Sequence, residues 1–318
     1  MMGALIVALL IVTGCGNGRK QVAGDSEAFR RELQDTIKRI VGAYQGEIGV
    51  AVIVGKDSAD VDGNGAALPD TVAVNNQDKY PMMSVFKLHQ AVALCRELDR
   101  KGISLDTVIS MHRDSLDADT WSPMLKEHPE SVIKLPVREL MEYALQLSDN
   151  NASNEMFRQL MSPAECDSLI AIIIPRDSFK IKYTESAMKR DHALAYANHT
   201  SPVGAASLIY RLFTDSILSQ GSQDFIRDAL LHCGTGVDRI SQPLQNIPGV
   251  TIAHKTGSGY RNEQGVLAAH NDVAFVHLPD GTHYALAVFV KDFPGTEADA
   301  SAIISRISQT VYNSISTY

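Results

Sequence analysis

One segment limits the folds open to this chain more than any other. Residues 84–101 follow a helical pattern with apolar side chains almost all round, at Phe86, Leu88, Ala91, Val92 and Leu94. A surface helix keeps its apolar side chains on one stripe, so a helix without a polar face must lie between neighbouring elements. Because 45% of the 318 residues are hydrophobic, the chain is long and apolar enough to bury such a helix.

The elements predicted around this helix have a simple order. An amphipathic helix over residues 25–44 precedes strands at 47–55 and 71–74. Further helices are predicted over residues 135–147, 151–160, 162–174, 203–213 and 223–231. The chain then ends with strands at 250–254, 271–278 and 283–290 and a helix at 298–314. This order predicts an α+β fold: an antiparallel sheet flanked by N- and C-terminal helices, with an all-helical lobe inserted.

The same order predicts where the lobes divide. Residues 20–80 and 236–318 are assigned to the α/β lobe and residues 81–235 to the helical lobe, with an active site between them. Residues 175–202 are polar, show little periodicity and run long for a connection. Connections of that length in compact domains are usually functional or disordered.

The N-terminus carries the pattern of an export signal. Residues 3–12 are apolar but too few to span a bilayer, and small residues and Cys15 follow. The ending Val12-Thr13-Gly14-Cys15 resembles the box before the lipid-modified cysteine of bacterial lipoproteins, although no positive charge precedes the apolar run. We therefore predict a signal over residues 1–15, a flexible tether at 16–18, a periplasmic location and Cys15 as a candidate lipid anchor.

The charge and the cysteine content limit which binding partners, disulfides and metal sites are expected. The net charge of −8 and a pI near 5.7 argue against nucleic acid, which requires a basic surface. If Cys15 is acylated, the odd number that remains, Cys95, Cys166 and Cys233, leaves at least one thiol free or paired between chains. Cys95 lies on an apolar helix face and is predicted to be a buried thiol. No cysteine or histidine spacing resembles a metal site, and no cofactor is expected.

A candidate nucleophile stands at the start of the central helix. Ser84 and Lys87 are one helical turn apart, so the lysine amine can lie beside the serine hydroxyl. A helix N-terminus also offers backbone N–H groups to a developing oxyanion. The alternative is that Ser84 is merely an N-cap, since this spacing is expected about once by chance in such a chain. A second copy occurs at Ser186 and Lys189.

Two later motifs indicate that the first copy is functional. Ser148-Asp149-Asn150 ends a predicted helix, and Lys255-Thr256-Gly257-Ser258 ends a predicted strand. Ser-x-x-Lys, Ser-Asp-Asn and Lys-Thr-Gly, in this order and at these separations, resemble the motif set of the class A β-lactamases, which penicillin-binding proteins share. The resemblance covers nearly the whole chain after the signal and includes Asn154, Trp121-Ser122-Pro123 and Thr235-Gly236-x-x-Arg239.

The resemblance implies a role for each acylation residue. Ser84 would attack the β-lactam carbonyl, with Lys87 or a water held by Glu185 as the base; both alternatives stay open. The backbone N–H groups of Ser84 and Ser258 would hold the oxyanion. Ser148 would relay a proton to the leaving nitrogen, and Glu185 would activate the water that releases Ser84.

The resemblance also implies a substrate-binding set and a monomer. Asn150 would hold the substrate side-chain amide. Trp121 would lie at the pocket rim, with a core aromatic as the alternative. The groups implied for the substrate carboxylate are Lys255, Thr256, Ser258 and Arg239.

The glutamate segment departs from the family pattern. Most class A members read Glu-x-x-Leu-Asn, whereas this chain reads Glu185-Ser186-Ala187-Met188-Lys189, and Asn198 stands where an aspartate is expected. This resembles an extended-spectrum, cephalosporin-hydrolysing branch. Lys189 either pairs with Glu185 or points to solvent. Ser186 lies in a predicted irregular loop without oxyanion donors, and His254 is predicted to be a packing or hydrogen-bonding residue.

Two further functions compete with a β-lactamase. A D-alanyl-D-alanine peptidase of the penicillin-binding group would use Ser84, Lys87 and Lys-Thr-Gly without needing Glu185. A β-lactam receptor would be acylated on Ser84 and never released. Turnover separates the three.

Overall fold

The computed structural model describes residues 16–57, 70–77 and 79–317. The predicted signal with Cys15, and most of the loop between the first two strands, lie outside these residues. None of the described helices combines the length and the apolar character needed to cross a bilayer.

The described residues form the following elements. The strands are β1 (Glu47–Lys56), β2 (Asp70–Val74), β3 (Tyr80–Pro81), β4 (Val108–His112), β5 (Val132–Pro136), β6 (Phe179–Lys180), β7 (His199–Thr200), β8 (Thr251–Ser258), β9 (Leu267–His277) and β10 (Thr282–Phe293). The helices are α1 (Gly16–Val41), α2 (Phe86–Lys101), α3 (Pro123–Glu127), α4 (Val137–Gln146), α5 (Asn150–Gln159), α6 (Pro163–Ile170), α7 (Glu185–Arg190), α8 (Pro202–Thr214), α9 (Gln220–Leu231) and α10 (Glu297–Ser316).

Both ends of the chain build one antiparallel sheet, in the order β2-β1-β10-β9-β8. Successive side chains of a strand point to opposite faces. In β1, Val50 and Val52 therefore join the core formed with α1 and α10, while Ala51 and Ile53 join the core of the helical region. The predicted α+β fold with flanking terminal helices is confirmed.

Helix α2, which has apolar side chains almost all round, is buried as expected. Phe86, Leu88 and Leu94 of α2 have no exposed surface. The helix ends at Gly102, which adopts a left-handed conformation with φ 65° and accepts it readily because it has no side chain. Helix α8 packs on β1 and β10, so the helical region and the sheet share one core. The proposed lobe boundaries stay a prediction.

Four local predictions are corrected. The helical region also contains two small sheets, β4-β5 and β3-β7-β6. The helix predicted from residue 135 begins at Val137, because Pro136 is extended, with ψ 152°, and pairs in β5. Residues 175–202 hold β6, β7 and the short helix α7 rather than an irregular loop. Residues 16–18, expected to be a tether, lie in the first turn of α1, where no proline interrupts the helix.

Candidate active site

Ser84 lies in a tight turn pressed against the sheet. The turn is a 3-10 helix over Met83–Val85, immediately before α2, and Met83 has a positive φ of 46°. Such a conformation is rare for a residue with a side chain and persists only when its surroundings impose it. Strand β8 imposes it here, because a Cβ at Gly257 would clash with the Met82 carbonyl and come within 3.2 Å of the Ser84 nitrogen.

Ser84 is not the cap of the central helix. Helix α2 has Val85 at its N-cap position, and no side chain bonds to its first turn. The Ser84 hydroxyl instead accepts a hydrogen bond from Lys87 Nζ at 3.0 Å and donates one to Glu185 Oε1 at 3.1 Å. The structure thus brings the predicted nucleophile together with both of its candidate bases.

Lys87 is 1% exposed and fully surrounded by acceptors. Besides Ser84, its Nζ contacts the Ser148 carbonyl at 2.8 Å and Asn150 Oδ1 at 2.7 Å, and Glu185 Oε1 lies at 3.0 Å. A buried amine requires such partners. Lys87 therefore contacts each of the other predicted catalytic residues, Ser84, Ser148 and Glu185.

The Ser-Asp-Asn motif is held rigidly by its middle residue. The buried carboxylate of Asp149 caps α5 by accepting from the Ala152 amide at 2.8 Å and also accepts from the Met124 amide at 2.8 Å. Burial raises the pKa of Asp149 above its ordinary value. Ser148, with φ 59°, and Asn150 are fixed on either side of this anchor.

Cationic groups cluster at the β8 end of the site. Lys255 is buried, and its Nζ donates to Ser148 Oγ at 3.1 Å. Burial, together with the charge of Lys87, lowers the pKa of Lys255 to about 8. Arg239 is also buried and donates to Ser258 Oγ at 2.6 Å. This region therefore offers positive charge beside the hydroxyl groups of Ser258 and Thr256, the latter 2.6 Å from Thr235 Oγ1.

Trp121 lies at the surface and not in the core. Its side chain is 56% exposed, its Nε1 donates to the Leu147 carbonyl at 2.8 Å, and Lys126 Nζ lies 5.2 Å from the ring centre. Asn150 donates its backbone N–H to the Trp121 carbonyl at 3.0 Å. The aromatic ring is thus fixed next to the Ser-Asp-Asn motif.

The second Ser-x-x-Lys copy is assembled differently. Lys189 neither pairs with Glu185 nor points freely to solvent: its Nζ lies 2.9 Å from Asp117 Oδ2. Ser186 Oγ accepts a hydrogen bond from Asn154 at 2.7 Å. The predicted pairing of Lys189 with Glu185 was wrong. The side chain is exposed, as in the other alternative, but it also pairs with a residue from a distant part of the chain.

Asn198 fixes the segment before Glu185 through an uncharged amide group. Its Oδ1 accepts from the backbone amides of Lys182 at 2.8 Å and Tyr183 at 2.9 Å. Its Nδ2 donates to the Tyr183 carbonyl at 2.8 Å. An amide group, unlike a carboxylate, can satisfy both donors and an acceptor of the strand-like segment before Glu185.

Comparison with known proteins identifies the family of this assembly. A sequence profile of the β-lactamase enzyme family matches residues 32–315. This chain belongs to that family. A β-lactamase from Phocaeicola vulgatus is 56% identical over 281 residues, which cover 88% of this chain and 84% of the relative.

More distant relatives agree. The extended-spectrum β-lactamase PER-1 of Pseudomonas aeruginosa is 31% identical over 88% of this chain and 86% of its own length. The crystal structure of the TLA-3 extended-spectrum β-lactamase superposes with a TM-score of 0.81 at 28% identity, covering 90% of this chain and 99% of that structure. The chain is a class A member of the family.

Sequence reasoning overlooked one supporting residue of this β-lactamase. Asn271 in β9 is fully buried and donates to the carbonyls of Pro81 at 2.8 Å and Met82 at 3.2 Å. It therefore ties the sheet to the turn that carries Ser84. A polar residue within a strand of mostly buried apolar side chains was the signal that could have revealed it.

A buried cluster lies behind Lys255 in the β-lactamase. His254 Nδ1 lies 3.1 Å from Asp272 Oδ1, which confirms a hydrogen-bonding role. Burial alone would lower the pKa of His254, but Asp272 raises it to about 10. Burial alone would raise the pKa of Cys233, but hydrogen bonding from His254 lowers it to about 7. Cys95 is buried as predicted, and burial raises its pKa to about 12.

Proposed function

We propose that this protein hydrolyses the amide of penicillins and cephalosporins through an acyl-enzyme on Ser84, and thereby confers β-lactam resistance. The observation that carries the proposal is the 3.1 Å contact between Glu185 Oε1 and Ser84 Oγ. A carboxylate beside an acylated serine can take a proton from the water that releases it. A receptor or a peptidase of the penicillin-binding group has no need for that carboxylate.

Acylation begins with attack of Ser84 Oγ on the β-lactam carbonyl carbon. Glu185 lies within hydrogen-bond distance of that oxygen and can accept its proton as a carboxylate, whereas Lys87 can accept it only as a neutral amine. The backbone N–H groups of Ser84 and Ser258 stabilise the oxyanion, and losing one such donor typically costs about a hundredfold or more in rate. Supporting this role, Ser258 lies on β8, the edge strand of the sheet.

The ring nitrogen leaves with a proton supplied through Ser148. Ser148 Oγ accepts a hydrogen bond from Lys255 Nζ at 3.1 Å, which leaves its own hydroxyl proton available to the nitrogen. Protonation completes the cleavage of the C–N bond. In the second step Glu185 takes a proton from water, the oxygen of that water attacks the ester carbonyl, and Ser84 Oγ departs with the proton that Glu185 returns to it.

The substrate carboxylate is assigned to the cationic end of the site, where Arg239 donates to the Ser258 hydroxyl and Lys255 donates to the Thr256 carbonyl. Charge-assisted hydrogen bonds of this kind are stronger than neutral ones. The side-chain amide is assigned to Asn150, and the rim of the pocket to the exposed Trp121. Hydrolysis by this route requires only water as co-reactant.

The place of action follows from the N-terminal pattern. The apolar run and small residues before Cys15 support export to the periplasm and a lipid anchor on Cys15. A monomeric enzyme is what the family resemblance implies. Metabolic labelling with palmitate tests the anchor. Label in the wild type that is absent from Cys15→Ser supports it, and an unlabelled wild type contradicts it.

Turnover of a chromogenic cephalosporin tests the function. We expect steady hydrolysis by the wild type and none by Ser84→Ala, because the variant lacks the nucleophile. A single burst equal to the enzyme concentration, without further turnover, identifies a receptor. Release of D-alanine from a D-alanyl-D-alanine peptide without cephalosporin hydrolysis identifies a peptidase.

A further inference from the structure

The ammonium of Lys189 joins two segments that each hold part of the site. It lies 3.0 Å and 2.9 Å from the two carboxylate oxygens of Asp117 and 3.4 Å from Asp119 Oδ2, and it also donates to the Asp119 carbonyl. Three acceptor groups therefore surround one side chain that is 38% exposed. Exposed ion pairs count most when several charges form a network, and here one ammonium meets two carboxylates.

The segment over residues 117–121 supports Asn150. The Asp117 backbone is fixed on both sides by Asn151, which accepts from the Asp117 N–H at 3.0 Å and donates to the Asp117 carbonyl at 2.9 Å. Further along, Thr120 Oγ1 accepts from Asn150 Nδ2 at 2.9 Å. A shift of this segment therefore moves the amide assigned to the substrate side chain.

Helix α7 carries Glu185 at its start and Lys189 one turn later. Asn154 of α5 holds this start, because it accepts from the Ser186 amide at 3.1 Å and donates to the Ser186 hydroxyl at 2.7 Å. Helix α5 thus contacts both segments directly. The Lys189–Asp117 ion pair adds a direct link between α7 and residues 117–121, besides the contacts that both make with α5.

Charge supports an intact ion pair at neutral pH. Hydrogen bonding from Lys189 lowers the pKa of Asp117, and hydrogen bonding to Asp117 raises the pKa of Lys189. Both shifts favour the charged forms, so the ion pair is intact at neutral pH.

We propose that Lys189 is a positioning residue for release of the acyl group: its ion pair fixes the helix bearing Glu185 relative to the segment that supports Asn150. The inference rests on the proposed function, in which Glu185 activates the hydrolytic water. Misplacement of a reacting group by about 1 Å can cost on the order of a hundredfold in rate. Release depends on Glu185 alone, whereas in acylation Lys87 also contacts Ser84, so release is the more sensitive step.

Separate measurement of the two chemical steps tests this role. In Lys189→Met, stopped-flow and quenched-flow kinetics with a cephalosporin should show release slowed about tenfold and acylation changed less than about twofold. Consequently kcat and KM fall together while kcat/KM stays nearly constant. Lys189→Arg should restore release, because a guanidinium pairs well with a carboxylate. Lys182→Met removes a nearby cation that lies over the Tyr183 ring and serves as the matched control.

A double-mutant cycle identifies the partner. Asp117→Asn should slow release as much as Lys189→Met does, and the double variant should be no slower than either single variant. Unchanged release in Lys189→Met, strictly additive effects, or equal loss in both steps with a lowered Tm would each overturn the inference. Failure of the proposed function is distinguishable, since it appears in the wild type as absent acylation or absent release, and it overturns this inference as well.

Discussion

The chain contains the same spacing, Ser-x-x-Lys, in two places that the structure treats very differently. Lys87 is 1% exposed and lies 3.0 Å from the hydroxyl of its own serine. Lys189 is 38% exposed and turns away from Ser186 toward Asp117. Only the first copy thus places an amine against a serine hydroxyl.

The difference comes from what each copy packs against. Ser84 is pressed between α2 and the sheet, where Gly257 and Asn271 leave the turn no alternative position. Ser186 lies on a short helix whose serine and lysine each have partners of their own. Spacing makes a serine–lysine contact available, whereas burial among fixed neighbours holds the proposed catalytic pair, Ser84 and Lys87, in place.

The largest difference between the copies should appear on removing each serine. Ser84→Ala should lower kcat by at least about four orders of magnitude, because the covalent step is lost. Ser186→Ala removes one hydrogen bond and should cost about fivefold or less. Steady-state kinetics with one cephalosporin measures both. Comparable losses in the two variants would refute the distinction between the copies.

A methyl group placed behind Ser84 should separate position from chemistry. Gly257→Ala forces a backbone shift at Met82 and should slow acylation about a hundredfold, although every reacting group remains. Gly221→Ala on α9, where an added Cβ meets nothing within 4 Å, is the matched control and should leave the rate unchanged. Normal acylation in Gly257→Ala would show that the turn needs no such support.

Alkaline pH should remove the charge of Lys255, which lies near the first copy, and leave the Lys189–Asp117 ion pair of the second copy intact. Burial lowers the pKa of Lys255 to about 8, so the free enzyme loses this cation above that pH, and kcat/KM should fall about tenfold per pH unit. In Lys255→Arg the decline should move to higher pH, since arginine stays protonated. A decline at the same pH in Lys255→Arg would assign it to another group.

The smallest expected effect is on stability. Here the substitution near the second copy should cost more than the substitution of Ser84, the reverse of the order expected for activity. Thr184 caps α7 by accepting from the Ala187 amide at 3.2 Å, so Thr184→Ala should lower the free energy of unfolding by about 1 kcal/mol. Ser84 caps nothing, and Ser84→Ala should stay within about 0.5 kcal/mol of the wild type. Urea unfolding measures both. A loss of cap size in Ser84→Ala would restore the N-cap interpretation.

The sequence was sufficient wherever the signal is local. The apolar pattern of α2 and the two strands predicted at 271–278 and 283–290 depend on neighbouring residues, and these predictions agree with the structure. The short strands β4 and β5 were missed because five residues of alternating burial are too few to stand out beside stronger helical patterns.

Long-range contacts set the limit of prediction. The partner of Lys189 lies 72 residues earlier in the chain, and Asn271 contacts Pro81 across 190 residues. A polar residue in an apolar strand can mark Asn271, but the local sequence identifies the partner of neither side chain, because each contact depends on how α5, the sheet and the turns pack together. Such contacts position the catalytic groups without belonging to any motif.

Peptide mapping of a trapped acyl-enzyme tests the central claim most directly. Glu185→Ala is mixed with a cephalosporin, digested and analysed by mass spectrometry beside the wild type treated for the same time. We expect a long-lived adduct on the peptide containing Ser84 in Glu185→Ala and only a transient one in the wild type. An adduct on the Ser186 peptide, or release as fast in Glu185→Ala as in the wild type, would contradict it.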